Sequence, residues 1–407
     1  MRIFTRDMGT GMNEKKHISV ILEETKKYYT IKRANTIRKE DMVSFLKQAY
    51  ADQFNAADYK NDSDISARWD WANVKNPNIE RVGFPAWVCK SKENEEIAGH
   101  LGVIPVSIKI KDGSYKAVWG RDMITPPKWR KKGVASFLFT TAMEETRDSA
   151  ALFLLGGAND YAVAIYKKLG FVHLGYIPLY VRAVSFNTVL RKFIGNKFLR
   201  DLLELLSRTM INVFYMFFKL ISPTGRKSLR MIEITGFDST FDVLWSKVSP
   251  LFPIIVSRDS KSLTWRFIEQ PYWNYRIFKA ESNESGELKG YIVLREGISR
   301  GLHMGIISDI FASPQDSITI SSLIQFAVKY FGNNKNIDLI RCDILCERFE
   351  SILKKSGFIK VRSKSHFLAG NIDDRLDSAF ILNRNNWFIN YADSDLDLSG
   401  QKLKNGK

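Results

Sequence analysis

Apolar and polar positions along the chain mark out strands and helices in alternation. The run AVWGRDMIT, Ala117 to Thr125, reads as a strand, and the segment VASFLFTTAMEET after it reads as a helix that opens near Gly133. LLGGAND then predicts a strand, NDYAVAIYKK a short helix, and Gly170 with Phe171 a tight turn. Further on, Leu199, Leu202, Leu203, Leu205 and Leu206 recur at near-helical spacing among Arg200, Asp201, Glu204 and Arg208, so 190–221 reads as one or two amphipathic helices. Ser222, Pro223, Thr224 and Gly225 end them. The most apolar part, Thr209 to Ile221, falls short of the roughly 20 residues a spanning helix needs and contains Asn212 and Lys219, so it is not expected to cross a membrane.

The same order of signals occurs on both sides of this helical stretch, which points to an internal repeat. Each half opens on a β-branched run, TIKRA near 30 and MIEIT near 231. Trp71 and Pro77 in the first half match Trp265 and Pro271 in the second at equal separation. A strand pair follows in each, with EEIAGHLGV around Gly99 and GELKGYIVL around Gly290. DMITPP (Asp122 to Pro127) matches DIFASP (Asp309 to Pro314), and IYKKLGF (Ile165 to Phe171) matches ILKKSGF (Ile352 to Phe358), in one ungapped register. Strands interleaved with helices, twice over, predict an α/β fold duplicated in tandem.

A length of 407 residues with 45% hydrophobic and 13% aromatic content supports two real cores. The 61 Lys and Arg against 44 Asp and Glu give +17, a surface that attracts anions. Those cations are spread evenly, without an aromatic-interleaved RNA signature, which disfavours nucleic acid as a partner. Cys89, Cys342 and Cys346 make an odd number and imply no disulfide framework, so a reducing, cytoplasmic setting is expected, with no secretory signal at the start. Lys192, Lys197, Arg226 and Lys227 flank the amphipathic stretch, so beside its reading as a packed connector, 190–227 can be read as resting on anionic lipid at the inner face of a membrane.

The segment from Ala117 through Gly133 joins a strand end, a turn and a helix start. There the first backbone N–H groups lack partners and the helix dipole is positive, so a phosphate can be held by main chain alone. Gly133 lets the backbone come close, Ala135 keeps the helix narrow, and Arg130, Lys131 and Lys132 add charge. A solvated basic turn would look the same. The second segment, with Asn159, Ala162 and Tyr166 at spacings of three and four before Gly170 and Phe171, separates the two readings.

ITPPKWRKKGVA resembles the pyrophosphate loop of the GNAT N-acetyltransferase superfamily, and NDYAVAIYKKLGF resembles its second motif, over a resemblance that extends from about 30 to 370. The wider pattern resembles two-domain acetyltransferases of bacterial capsule and exopolysaccharide gene clusters. The resemblance implies a mixed, mostly antiparallel sheet flanked by helices in each of two tandem GNAT-like domains. The expected spans are an extension at 1–28, a catalytic domain at 29–187, a helical connector at 188–227, a degenerate copy at 228–370 and a polar tail at 371–407, disordered in part from Leu398.

It further implies acetyl-CoA as acetyl donor and a small primary amine, such as an amino sugar, as acceptor. Backbone amides of Lys131, Lys132, Gly133, Val134, Ala135 and Ser136 would hold the pyrophosphate, with Arg130 beside it. Met123, Ile124 and Thr125 would pair with the pantetheine arm and polarise the thioester carbonyl, Asn159 would hydrogen-bond the pantetheine, and Tyr166 would protonate the departing thiolate. Asp122 is a candidate general base, though Asp309 holds its place in the other copy, and His100 is a weaker one. His17, His173, His303 and His366 show no metal-ligand spacing, and no metal is expected.

In the second copy Arg130 aligns with Ser317, Gly133 with Ile320 and Tyr166 with Leu353, so this half reads as scaffold. The aromatic run Trp265 to Phe278 reads as core, with sugar stacking by Trp273 or Tyr275 as a lesser alternative. DSDLDLSG in the tail lacks calcium-loop spacing. Competing functions are an aminoacyl-tRNA-dependent peptidyltransferase of tandem GNAT fold and a non-catalytic CoA-binding module.

Overall fold

The computed structural model describes residues 22–54, 61–80, 82–157, 160–221, 229–370 and 372–398. The first half gives β1 (Tyr29–Arg33), α1 (Lys39–Phe54), α2 (Asp62–Asn73), β2 (Ala86–Ser91), β3 (Ile97–Ile110), β4 (Gly113–Ile124), α3 (Val134–Thr146), β5 (Leu152–Gly156), α4 (Asp160–Lys168), β6 (Val172–Tyr176) and β7 (Leu179–Ala183). The helices α5 (Asn187–Phe193) and α6 (Lys197–Ile221) follow. Then come β8 (Leu229–Ile234), α7 (Ser239–Val248), β9 (Ile254–Val256), β10 (Arg276–Ser282), β11 (Leu288–Ser299) and β12 (Leu302–Ala312). α8 (Ser317–Gly332), β13 (Leu339–Leu345), α9 (Glu347–Lys355), β14 (Ile359–Val361), β15 (His366–Gly370) and β16 (Trp387–Asn390) complete the order.

Two compact units result: one of 1–108, 114–176 and 364–384, the other of 109–113, 177–363 and 385–407. In the first, the strand order is β6-β15-β5-β4-β3, continued by β2 and β1. β1 and β2, β2 and β3, and β15 with both β5 and β6 pair antiparallel, while β4 and β5 run parallel. In the second, β14, β7, β13, β12, β11, β10 and β8 follow in the same order, with β12 and β13 the parallel pair among these strands. The sheet is mixed, mostly antiparallel and flanked by helices, as the resemblance implies.

The slot between β5 and β6 is filled by β15, and the slot between β13 and β14 by β7. Each insertion is a core event: Phe367 of β15 stacks on Trp119 at 5.8 Å, and Tyr180 of β7 is fully buried with its hydroxyl donating to Glu350 at 2.5 Å. The contiguous spans 29–187 and 228–370 therefore do not coincide with the units that pack, because the last strand of each half lies in the other half's sheet. The connector expected at 188–227 contains α5 and α6 and falls in the second unit. Residues 1–21 of the expected extension lie outside the described residues.

The tail differs most from expectation. β16 pairs with β13 and β9, and Trp387, Phe388 and Ile389 are buried. Asp397 is completely buried, accepting from Arg295 at 2.8 Å, from Ser308 at 3.0 Å and from the Tyr275 hydroxyl at 2.5 Å. Asp393 accepts from Arg258 at 3.0 Å. Asp393 and Asp397 of DSDLDLSG are counter-ions to guanidiniums more than a hundred residues away, which is why local sequence reads them as solvated. The same contacts remove Trp273 and Tyr275 as sugar platforms, since Trp273 is buried with the Arg295 guanidinium 4.0 Å from its ring centre.

Candidate active site

Parallel pairing between β4 and β5 runs from Ala117 opposite Leu152 to Gly120 opposite Leu155, while β4 continues to Ile124. Met123 and Thr125 are half-buried and Ile124 is in the core. Beyond Ile124 the chain makes a short 3₁₀ turn, Pro127–Trp129, which plugs Trp129 into the core edge-on to Tyr29 at 5.9 Å. Arg130, Lys131 and Lys132 follow and are exposed. Arg130 Nε donates to the Thr125 carbonyl at 3.0 Å, and the Lys132 ammonium lies 5.0 Å from the Trp129 ring centre.

Lys131 and Gly133 both take left-handed backbone, with φ of 61° and 80°. Gly133 is the N-cap of α3 and supplies no side-chain cap. The first intrahelical bond runs from Phe137 N–H to the Gly133 carbonyl at 2.9 Å, so the amides of Val134, Ala135 and Ser136 precede it. The helix comes this close because β3 carries Gly99, where a Cβ would meet Val134 at 2.7 Å and Leu138 at 2.9 Å. Three cations around an open helix start suit a polyanion.

Tyr166, on α4, packs its ring against Phe139 of α3 at 4.8 Å and Phe171 at 6.0 Å and is largely buried. The Tyr166 ring thus rests against the helix that begins after Gly133. Asn159 lies outside the described residues.

Asp122 is not placed as a base. Its carboxylate is buried, accepting from Arg68 at 2.7 Å and pairing with Arg121. Burial opposes its ionisation, but the two guanidiniums outweigh that and hold the carboxyl well below the usual carboxylate range. The Asp309 carboxylate is also buried, accepting from Arg258 at 3.1 Å and from the Tyr291 hydroxyl at 2.7 Å. His100 is fully buried, with Nδ1 2.9 Å from the Asp122 carbonyl oxygen, and burial followed by the Arg121 charge pushes its imidazole down to about 4. It is a poor proton acceptor near neutrality.

One array escapes a reading of the sequence alone. His366 opens β15 with its Nδ1 3.0 Å from His173 Nε2 and its Nε2 3.1 Å from the Asp160 carboxylate. Tyr176 lies 4.6 Å from the His366 ring, and the His366 carbonyl accepts from Gly157 N–H at 3.1 Å. The array therefore sits at the carboxyl end of β5, beside the start of α4. His366 and Asp160 are buried and exposed respectively, at 6% and 95% of side-chain surface, so the pair links an interior imidazole to solvent. Burial, then the neighbouring His366, lowers the His173 imidazole. The two histidines are 193 positions apart, and only the insertion of β15 brings them together.

Residues 30–174 match the family model described as acetyltransferase (GNAT) domain, which covers less than half of the chain. No curated protein matches. Among solved structures, a probable N-acyltransferase from Enterococcus faecalis V583 superposes with a TM-score of 0.57 at 10% identity, covering 85% of this chain and 73% of that one. Saccharomyces cerevisiae N-myristoyltransferase with bound myristoyl-CoA gives 0.53 at 12% identity, covering 84% and 83%. A GCN5-related N-acetyltransferase from Anabaena variabilis ATCC 29413 gives 0.52 at 13% identity, covering 84% and 72%. At these identities the likeness is one of fold. The chain carries a GNAT acetyltransferase domain and is an acyltransferase.

Proposed function

We propose that the protein transfers the acetyl group of acetyl-CoA to a primary amine by direct attack in a ternary complex. The observation that carries this reading is the uncapped start of α3: Gly133 in left-handed backbone, behind exposed Arg130, Lys131 and Lys132, at the end of β4 inside the matched domain. Amides from Lys131 to Ser136 hold the pyrophosphate, and the Met123–Thr125 edge takes the pantetheine arm and polarises the thioester carbonyl. Asn159 hydrogen-bonds that arm. The amine nitrogen bonds to the carbonyl carbon, the carbon–sulfur bond breaks, and the thiolate takes its proton from the Tyr166 hydroxyl.

The amine must shed a proton to attack. His366, coupled to His173 and to solvent-exposed Asp160, offers that proton a route at the carboxyl end of β5. His366→Gln is expected to lower kcat/KM and to move its pH profile while CoA affinity stays unchanged; an unchanged profile would leave the array a structural pin for β15.

The acceptor is an amino sugar, free or nucleotide-linked, of surface-polysaccharide synthesis, and the setting is the cytoplasm. This rests on the resemblance of the sequence to tandem acetyltransferases of such clusters. A thiol-release assay with acetyl-CoA against amino sugars, amines and peptides tests it. In the same assay Gly133→Asp is expected to weaken CoA binding by several kcal/mol, about the cost of a misplaced charge, whereas Tyr166→Phe is expected to lose roughly 10²–10⁴ in turnover with binding intact. Unchanged CoA affinity in Gly133→Asp would remove the central claim.

A further inference from the structure

More than half of the large apolar residues exposed among the described residues fall between Phe186 and Met216, on α5 and α6. On α6, Phe198, Leu202, Leu205, Leu206, Met210 and Val213 follow one another at helical spacing, and Phe198, Leu205 and Met210 are 80%, 64% and 72% exposed. These residues form one face. The opposite face is docked: Tyr215 is buried, with the Arg182 guanidinium 3.6 Å from its ring centre and Gly357 leaving room for the ring, since a Cβ there would come within 2.5 Å. Charges along the middle of α6 are largely paired, Glu204 with Arg208 at 3.4 Å and Arg200 near Asp201 at 3.9 Å, and Arg200, Arg208 and Glu204 are mostly covered. At the N-terminal end Arg191, Lys192 and Lys197 stand in solvent.

The helix has 25 residues, about 37 Å at 1.5 Å per residue. Among the described residues no helix is long and apolar enough to cross a membrane. A long helix with one open apolar face, cations at its end and its other face held by the protein matches an element that lies in the plane of a bilayer. We infer that the α5–α6 face docks on an anionic lipid surface, with the apolar stripe sunk to the acyl boundary and Arg191, Lys192 and Lys197 against headgroup phosphates. Charge selects lipid over a second copy of the chain: each copy carries +17, and apposing this face on itself would bring like cations together. The inference stands apart from the acyl-transfer reading.

Sedimentation of the full chain with vesicles tests it, using phosphatidylcholine alone and phosphatidylcholine mixed with phosphatidylglycerol. The protein is expected to pellet with the mixed vesicles, less so as salt rises. Leu205→Glu with Met210→Glu is expected to cut partitioning by about tenfold or more, with circular dichroism and CoA affinity unchanged because both side chains are exposed. Arg191→Glu, Lys192→Glu and Lys197→Glu together are expected to abolish the preference for the anionic vesicles. Absence of binding to either vesicle overturns the inference. So does a wild-type dimer in sedimentation equilibrium that Leu205→Glu and Met210→Glu render monomeric without any vesicle binding, which would assign the face to a second copy.

Discussion

His100 buries its imidazole completely beside Arg121, so the folded chain protonates it only near pH 4, against about 6.5 when unfolded. Between those values the unfolded chain binds the extra proton, and stability rises with pH across that window. The full difference is about 3 kcal/mol, from 1.36 kcal/mol per unit. The Asp122 carboxyl, held low by Arg68 and Arg121 against its burial, loses its own contribution only below the ordinary carboxylate value, outside this window. Urea unfolding at pH 7 and pH 4.5 is therefore expected to show the wild type losing up to about 3 kcal/mol on acidification, with His100→Gln losing markedly less. Equal losses in both would mean that some other group sets the acid limb. The Gly133 loop was legible because its chemistry is local: strand, turn, glycine and cations occupy one short run. The His366 array was not, since histidines 193 positions apart carry no shared signal until a sheet register joins them.

At the scale of elements, the chain's local periodicity anticipates the end of β4 and the whole of α3 within a residue, because their apolar spacing is set by what each packs against, while β4 begins earlier than expected, at Gly113 and not Ala117. β7 and β15 were not read from the sequence, and their partners lie beyond local pattern in any case, since the pattern along a strand says which face is buried and nothing about which neighbour it pairs with. The tail failed for a related reason. Its aspartates read as solvated until Arg258 and Arg295 are placed against them. Removing one partner from such a buried pair strands the other charge, so Asp397→Ala is expected to cost about 3–5 kcal/mol, read as a shift of the urea midpoint. Asp373→Ala, whose partner Arg375 is mostly exposed, is expected to cost under about 1 kcal/mol. A shift for Asp397→Ala as small as that for Asp373→Ala would return the tail to a loose end.

For the whole molecule, two units of the same strand order raise the question of how many cofactors one chain binds. The answer turns on the two helix starts that follow the matching strands β4 and β12. In the first unit Gly133 leaves the start of α3 uncapped by any side chain, with Arg130, Lys131 and Lys132 in solvent. In the second, α8 begins at Ser317, so the positions aligned with Arg130 to Gly133, Ser317 to Ile320, are already helical, and Thr319 and Ile320 are buried. Its N-cap is Asp316, whose carboxylate accepts from the Thr319 amide at 2.9 Å and the Thr319 hydroxyl at 2.6 Å. The dipole end that would attract a pyrophosphate is thus already satisfied by a fixed negative charge, and no cation remains at those positions to offset it. Titration calorimetry of the full chain with acetyl-CoA is expected to give one site per chain, lost in Gly133→Asp and unaffected by Asp316→Asn. Two equivalent sites, or a site that survives Gly133→Asp at full affinity, would place a cofactor on the second unit despite its capped helix.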